Sequence, residues 1–128
     1  MGIRESGENY LETILLLEKK NGTVRSVDIA NELEYSKPSI SRAMGILKEN
    51  GYIIIAANGD IQLTEKGRGC AIGIYERHRL IADFFIIALG VDEKTADEDA
   101  CRIEHVISEE SFERIRDWVK NQSFSGRA

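Results

Sequence analysis

Residues 36–63, SKPSISRAMGILKENGYIIIAANGDIQL, place a helix and a hairpin back to back. Ser36 is a predicted N-cap, and Pro38 sits in the first helical turn, where its missing N–H costs nothing. Ile40, Met44 and Leu47 recur at helical spacing as a buried stripe, and Gly51 is the stop. Tyr52-Ile53-Ile54-Ile55 is rich in strand-favouring residues. Asn58-Gly59 is a strong hairpin turn, and Ile61-Gln62-Leu63 alternates as a returning strand. Just upstream, Ser26 is the predicted cap of a short helix over residues 27–33, and Glu34-Tyr35 is a brief turn. Two short helices in a tight turn followed at once by a hairpin give the order of a winged helix-turn-helix. The inward stripe leaves Lys37, Ser39, Ser41, Arg42 and Gly45 facing outward. With Pro38 in the opening turn, Lys37, Ser39, Ser41 and Arg42 offer small, hydrogen-bonding and cationic groups suited to DNA phosphates and base edges. A plain helical hairpin with a solvated face is the bland alternative, and the hairpin that follows argues against it. The wing tip, Asn58-Gly59-Asp60, is short and not basic, so only minor DNA contacts are expected from it.

On the N-terminal side, Ser6 is the expected cap of a first helix with Glu8 in its opening turn. Tyr10, Leu11, Ile14, Leu15 and Leu17 form its apolar stripe, and Asn21-Gly22 ends it. Asn9 and Glu12 are i, i+3 neighbours on the other side and can point at one object. Beyond the wing, Thr64 caps a long helix from Glu65 to about Leu89. Gly67, Gly69 and Gly73 weaken its early turns by about 1 kcal/mol each, and close helix approach is the expected reason. His78 sits mid-helix between Arg77 and Arg79. Gly90 ends that helix, Asp92 or Thr95 opens another, and Ser108 caps a last one with Phe112, Ile115, Trp118 and Val119 on its apolar face. These elements predict a mainly α chain: a winged helix-turn-helix over 1–70, a helical domain over 71–121 and a flexible tail over 122–128.

The chemistry concentrates in Asp99-Ala100-Cys101-Arg102-Ile103-Glu104-His105. On a helix, Cys101, Glu104 and His105 stand at i, i+3 and i+4, so one face presents a thiolate, a carboxylate and an imidazole. All three are ligand types for first-row transition ions. Interleaved Ile103, Val106 and Ile107 predict that this face meets the interior, where an unpartnered carboxylate is costly and a shared cation would relieve it. An amphipathic helix with chance clustering of polar residues fits the pattern too. The 128 residues carry a net charge of −5, which disfavours indiscriminate coating of nucleic acid. Residues 1–68 are near neutral, with nine Lys/Arg against ten Asp/Glu, while 69–128 hold eight against twelve. No apolar run approaches a membrane span, and the N-terminus lacks a signal pattern, so a cytoplasmic protein is expected. Cys70 and Cys101 form no disulfide framework.

The segments Asn9-Tyr10-Leu11-Glu12-Thr13-Ile14, Ser36-Lys37-Pro38-Ser39-Ile40-Ser41, Leu63-Thr64-Glu65-Lys66-Gly67-Arg68, Arg77-His78-Arg79-Leu80 and Ala100-Cys101-Arg102-Ile103-Glu104-His105 resemble the diphtheria toxin repressor and manganese transport regulator family of metal-dependent repressors. The resemblance runs from about residue 6 to 119, and Cys-Arg-Ile-Glu-His with the upstream Arg-His-Arg-Leu is its most specific part. It implies a metal held by Glu12, His78, Cys101, Glu104 and His105. Asn9 falls where the family has aspartate or methionine, and a neutral amide oxygen is the weaker ligand. Cys101 leans toward softer ions and Glu12 with Glu104 toward Mn²⁺, which leaves Fe²⁺ and Mn²⁺ both open. The implied partners are a palindromic double-stranded operator and a second copy of the chain, docked through the last two helices with Phe112, Ile115 and Trp118 in the interface.

Two other functions compete. A winged-helix thiol sensor would use Cys101, alone or paired with Cys70, but neighbouring carboxylates disfavour a reactive thiolate. A metallohydrolase would use the same ligands around an open position, yet the chain has no His-Glu-x-x-His motif, phosphate loop or nucleophile elbow. A regulator rather than an enzyme is expected.

Overall fold

The computed structural model describes residues 5–122, which form α1 (Glu5–Asn21), α2 (Ser26–Leu33), α3 (Lys37–Glu49), β1 (Ile53–Ile55), β2 (Ile61–Leu63), α4 (Glu65–Leu89), α5 (Glu93–Ile103) and α6 (Glu109–Lys120). The chain divides into two compact units, one ending at Ile72 and the other beginning at Gly73, so α4 starts in the first and finishes in the second. The expected tail falls almost wholly outside the described residues. Gln122, the last of them, is tied back by its side-chain amide to Trp118 O at 2.8 Å. No helix among the described residues is long and apolar enough to cross a membrane.

The first unit is a winged helix-turn-helix. Leu11, Ile14, Leu15 and Leu17 of α1, Ile29 of α2, Ile40, Met44 and Leu47 of α3, and Ile53, Ile61 and Leu63 of the wing are all buried, with α2 against α1 and α3 and the wing against α1 and α3. α3 opens as expected: Ser36 Oγ accepts from Ser39 N–H at 3.3 Å, and Pro38 lies in the first turn. β1 and β2 are antiparallel, with Ile53 opposite Leu63, Ile54 opposite Gln62 and Ile55 opposite Ile61. Ala56 O accepts from Gly59 N–H at 2.8 Å to close the tip, and Gly59 takes φ +91°, a region that side chains resist. β2 is fixed on its other side, where Ile61 N–H donates to Val24 O at 2.7 Å.

Three local expectations give way. Ser6 lies inside α1 rather than capping it, because the helix already includes Glu5. The cap of α2 is Arg25, not Ser26, and Asp28 reaches back so that its carboxylate accepts from Arg25 N–H at 2.9 Å. A carboxylate at the third helical position satisfies an orphan donor as well as a serine hydroxyl does, and adds favourable charge at the helix start. The third concerns the glycines of α4. Gly67 faces a turn, not a helix: a Cβ there would stand 1.9 Å from Tyr52 O. Gly69 and Gly73 face open space.

Arg68 of α4 and Glu18 of α1 form a two-pronged ion pair at 2.8 and 3.0 Å. The Arg68 hydrogen bonds hold the Glu18 carboxyl below its ordinary value of 4.5, against the opposing effect of burial. A carboxylate with a depressed folded-state pKa stabilises the fold above its unfolded pKa, and the contribution is lost as the pH falls through the folded value. The pair is half exposed, so solvent screening limits it to about 0.5–1 kcal/mol. Urea unfolding of the parent and Arg68→Ala should therefore differ by that amount near pH 7 and converge once the pH falls below the folded-state pKa of Glu18. A difference that persists in acid would mean that Arg68 acts by packing instead.

The second unit buries Ile81 and Ala82 of α4, Ala96 and Ala100 of α5, and Phe112 of α6, with Leu80, Phe85, Ile86 and Ile103 around them. Asp92 caps α5 by accepting from Thr95 N–H at 3.2 Å, and Ser108 caps α6 by accepting from Ser111 N–H at 3.1 Å. Phe112, expected in an interface with a second copy, belongs to this unit's own core. Apolar periodicity marks a face that is covered, without saying by what. Trp118 remains 37% exposed and meets Phe84 edge-on at 5.4 Å.

Candidate metal centre and nucleic-acid interface

α5 ends at Ile103, so Cys101 lies on its last turn while Glu104 and His105 follow it. Glu104 is the C-cap, its N–H donating to Ala100 O at 2.9 Å, and His105 and Val106 continue into a turn that Ile107 N–H closes onto Ile103 O. Glu104 is only 1% exposed, whereas Cys101 lies exposed on the last turn of α5 and Val106 is 65% exposed. The predicted inward face is therefore carried by Glu104 with Ile103 and Ile107, not by Cys101 or Val106.

Around Glu104 the second unit gathers two imidazoles. His78 Nδ1 lies 2.7 Å from Glu104 Oε1, and His105 Nε2 lies 3.2 Å from Oε2. An ionised carboxylate only accepts, so His78 carries its hydrogen on Nδ1 and, when neutral, its lone pair on Nε2. That Nε2 stands 3.6 Å from Asp97 Oδ1, an approach that suits a proton or a cation but not two lone pairs. Glu104 Oε2 is buried and takes no hydrogen bond among the described residues. Leaving a buried carboxylate oxygen unsatisfied costs several kcal/mol in an apolar surrounding, on the order of the desolvation penalty of a charge. Two imidazoles, which are borderline donors, beside hard carboxylate oxygens suit a divalent first-row ion, so the residues present fit such a metal.

Arg77 supports this turn, a role that no spacing or motif announces. Its guanidinium donates to Glu109 Oε1 at 2.9 Å, reaches Glu104 O at 3.4 Å and lies 4.7 Å over the Phe112 ring. One side chain thus ties the Glu104 carbonyl to the first turn of α6. Asp97 was also missed as a partner of His78. It stands in an acidic run, Asp92, Glu93, Asp97, Glu98 and Asp99, ahead of Cys101, and such a run reads as solvated surface.

The other predicted ligands lie on α1 in the first unit. Glu12 is buried, and Asn9 is half buried with its backbone carbonyl accepting from Thr13 Oγ1 at 2.8 Å. The predicted DNA-reading residues Lys37, Pro38, Ser39, Ser41 and Arg42 are all exposed, on the side of α3 opposite Ile40, Met44 and Leu47. Ser39 Oγ accepts from Ser36 Oγ at 2.9 Å, which orders the helix start where a recognition helix meets a groove.

A winged helix-turn-helix joined to a helical unit that carries a buried imidazole–carboxylate cluster defines a class, the metal-binding winged-helix proteins. The comparisons agree with it. Residues 3–60 match the N-terminal DNA-binding domain of iron-dependent repressors, and residues 64–125 match the metal-binding and dimerisation domain of the same proteins. The chain belongs to the iron-dependent repressor family. It is 33% identical over 121 residues to the iron-dependent repressor IdeR of Mycobacterium leprae, covering 94% of this chain and 53% of that one. It is 36% identical over 113 residues to an HTH-type transcriptional regulator of Methanocaldococcus jannaschii, covering 88% of this chain and 90% of that one. Among solved structures it is similar to a manganese-dependent transcriptional repressor in complex with manganese, with TM-score 0.82 and 25% identity over 91% of this chain and 53% of the other. The chain spans about half the length of the first of these relatives.

Proposed function

We propose that this chain is a cytoplasmic, metal-responsive transcriptional repressor, with metal-uptake genes as its targets, that binds a palindromic operator as a homodimer when loaded with Fe²⁺ or Mn²⁺. The winged helix-turn-helix, residues 1–70, reads DNA through Lys37, Pro38, Ser39, Ser41 and Arg42, and residues 71–121 bind the metal and dimerise. His78, Cys101, Glu104 and His105 from the second unit, with Glu12 and Asn9 from the first, supply the ligands. Metal binding and operator binding are thereby linked, each tightening the other.

The observation that carries this reading is the Glu104 carboxylate, buried between His78 and His105 with one oxygen unsatisfied. The names of the relatives point to iron and to manganese, and the donor set suits either. The competing thiol-sensor reading loses support at Cys70, whose thiol pKa is pushed up by burial and then by Glu8, with Lys66 opposing. A thiol so raised stays protonated and reacts slowly.

The test is operator binding at fixed salt with Mn²⁺, with Fe²⁺ under anaerobic conditions, and with a chelator. Metal should tighten binding by roughly 5–150-fold, the usual range of coupling between two sites. Equal affinity with metal and with chelator would sink the repressor mechanism.

A further inference from the structure

The wing itself is poorly made for DNA. Its tip holds Asn58, Gly59 and Asp60, with no cation and one carboxylate, while DNA presents a phosphate wall. The structure supplies the missing charge from elsewhere. Arg25, at the N-cap of α2, places its guanidinium beside the tip: the position that a Cβ on Gly59 would occupy lies 3.9 Å from Arg25 Cζ and 3.9 Å from its Nη1.

Arg25 is exposed, and among the described residues it makes no ion pair. The acid of the wing tip is already engaged. Asp60 Oδ1 accepts from Val24 N–H at 3.2 Å, and Oδ2 accepts from Gln62 Nε2 at 3.0 Å. Asp60 is held below its ordinary pKa first by Gln62, then by the Val24 N–H, with burial opposing and Arg25 contributing through space. These bonds pin the carboxylate against the loop before α2. The same loop is stapled to β2 by Ile61 N–H and Val24 O at 2.7 Å, so the base of Arg25 is fixed relative to the wing. A further bond, from Arg25 N–H to the Asp28 carboxylate, fixes its backbone. Gly59 lacks a side chain of its own, which leaves the guanidinium open at the tip.

We infer that Arg25 is the wing's contact with the DNA backbone, its guanidinium standing beside Gly59 to take one phosphate oxygen pair that the wing's own residues cannot attract. The inference rests on the DNA-binding reading above and adds to it a residue outside both the recognition helix and the hairpin. A guanidinium matches phosphate in a two-pronged geometry and carries no base specificity, so the contact positions the protein without choosing sequence.

The experiment compares the parent, Arg25→Ala and Arg25→Lys by fluorescence anisotropy, with Mn²⁺ in excess, on an operator duplex and on an unrelated duplex from low to moderate salt. Arg25→Ala should weaken binding to both duplexes by the same factor, roughly 3–10-fold, and make the log–log salt slope shallower by about 0.9, the loss of one phosphate contact. Arg25→Lys should restore the slope, and the thermal midpoints of the three proteins should agree. An Arg25→Ala protein with the parent's slope on both duplexes overturns the assignment, and so does a loss confined to the operator, which would make Arg25 a base reader. A parent that binds neither duplex overturns the DNA-binding reading itself, and this contact with it.

Discussion

Replacing Glu104 with glutamine should abolish the response to metal while leaving the fold in place. The amide keeps the size of the side chain and can still pair with His78 Nδ1, now 2.7 Å from Oε1. It removes the charge that the candidate centre is built around. Affinity for Mn²⁺, measured by competition with a chelator, should fall by at least about 100-fold, the upper end of what loss of a supporting residue alone costs. Stability gives an independent readout. Metal at 100 times its dissociation constant stabilises the folded state by about 2.7 kcal/mol. The parent's melting midpoint should therefore rise on adding Mn²⁺ by roughly 8–10 °C for a unit of this size. In Glu104→Gln that rise should vanish, and the metal-free variant should melt no lower than the metal-free parent, because a neutral amide is cheaper to bury than a carboxylate. If the variant kept the parent's metal-induced rise, Glu104 would not be a ligand.

Gly67→Ala should be the most damaging small substitution in the first unit. Its new methyl would meet the Tyr52 carbonyl oxygen at 1.9 Å and the carbonyl carbon at 2.9 Å. Both are backbone atoms of the segment that leads into β1, and Tyr52 is held at both ends: its N–H donates to Leu47 O at 3.0 Å, and its O accepts from Thr64 N–H at 3.1 Å. Relief would require pulling α4 away from the wing or breaking those bonds. A loss of about 3 kcal/mol or more in urea unfolding is expected, at or beyond the upper range for overpacking. Gly69→Ala is the control, with nothing within 4 Å of its Cβ and an ordinary helical backbone. It should gain about 0.5–1 kcal/mol. If both variants unfolded alike, the close approach at Tyr52 would carry no energy.

Features set by near neighbours in sequence were legible. The caps at Ser36, Thr64, Asp92 and Ser108 each need only a side-chain oxygen and an N–H about three residues on, and each forms. The hairpin at Asn58-Gly59 is likewise local. Where two local solutions compete, the sequence is ambiguous, and α2 shows it: a carboxylate at Asp28 takes the capping role that Ser26 was expected to fill. Long-range contacts were hidden. Nothing near Gly67 announces Tyr52, and the apolar stripe of α6 looks the same whether Phe112 meets its own core or another chain. In the candidate centre, Glu104, His105 and His78 were named from their chemistry and from a family resemblance, and the structure brings these three together. Cys101, predicted beside Glu104 and His105, lies exposed on the last turn of α5, whose end at Ile103 no glycine or proline announces.

The two-stranded wing also bears on how this protein stays dispersed. β2 has neighbours on both sides, β1 and the Val24 backbone, which makes β1 the outer strand. That outer strand is three isoleucines, of which Ile54 and Ile55 face water. A long strand of this composition would be a template for sheet-to-sheet sticking between molecules, and natural proteins usually guard such an edge with lysine or proline. Here the guard is brevity. The turn at Gly51 and the tip starting at Ala56 confine the strand to roughly 10 Å, too little backbone to hold a foreign strand in register. Changes that lengthen the hairpin would thus trade a larger DNA contact against self-association, which sets an upper limit on the size of this wing.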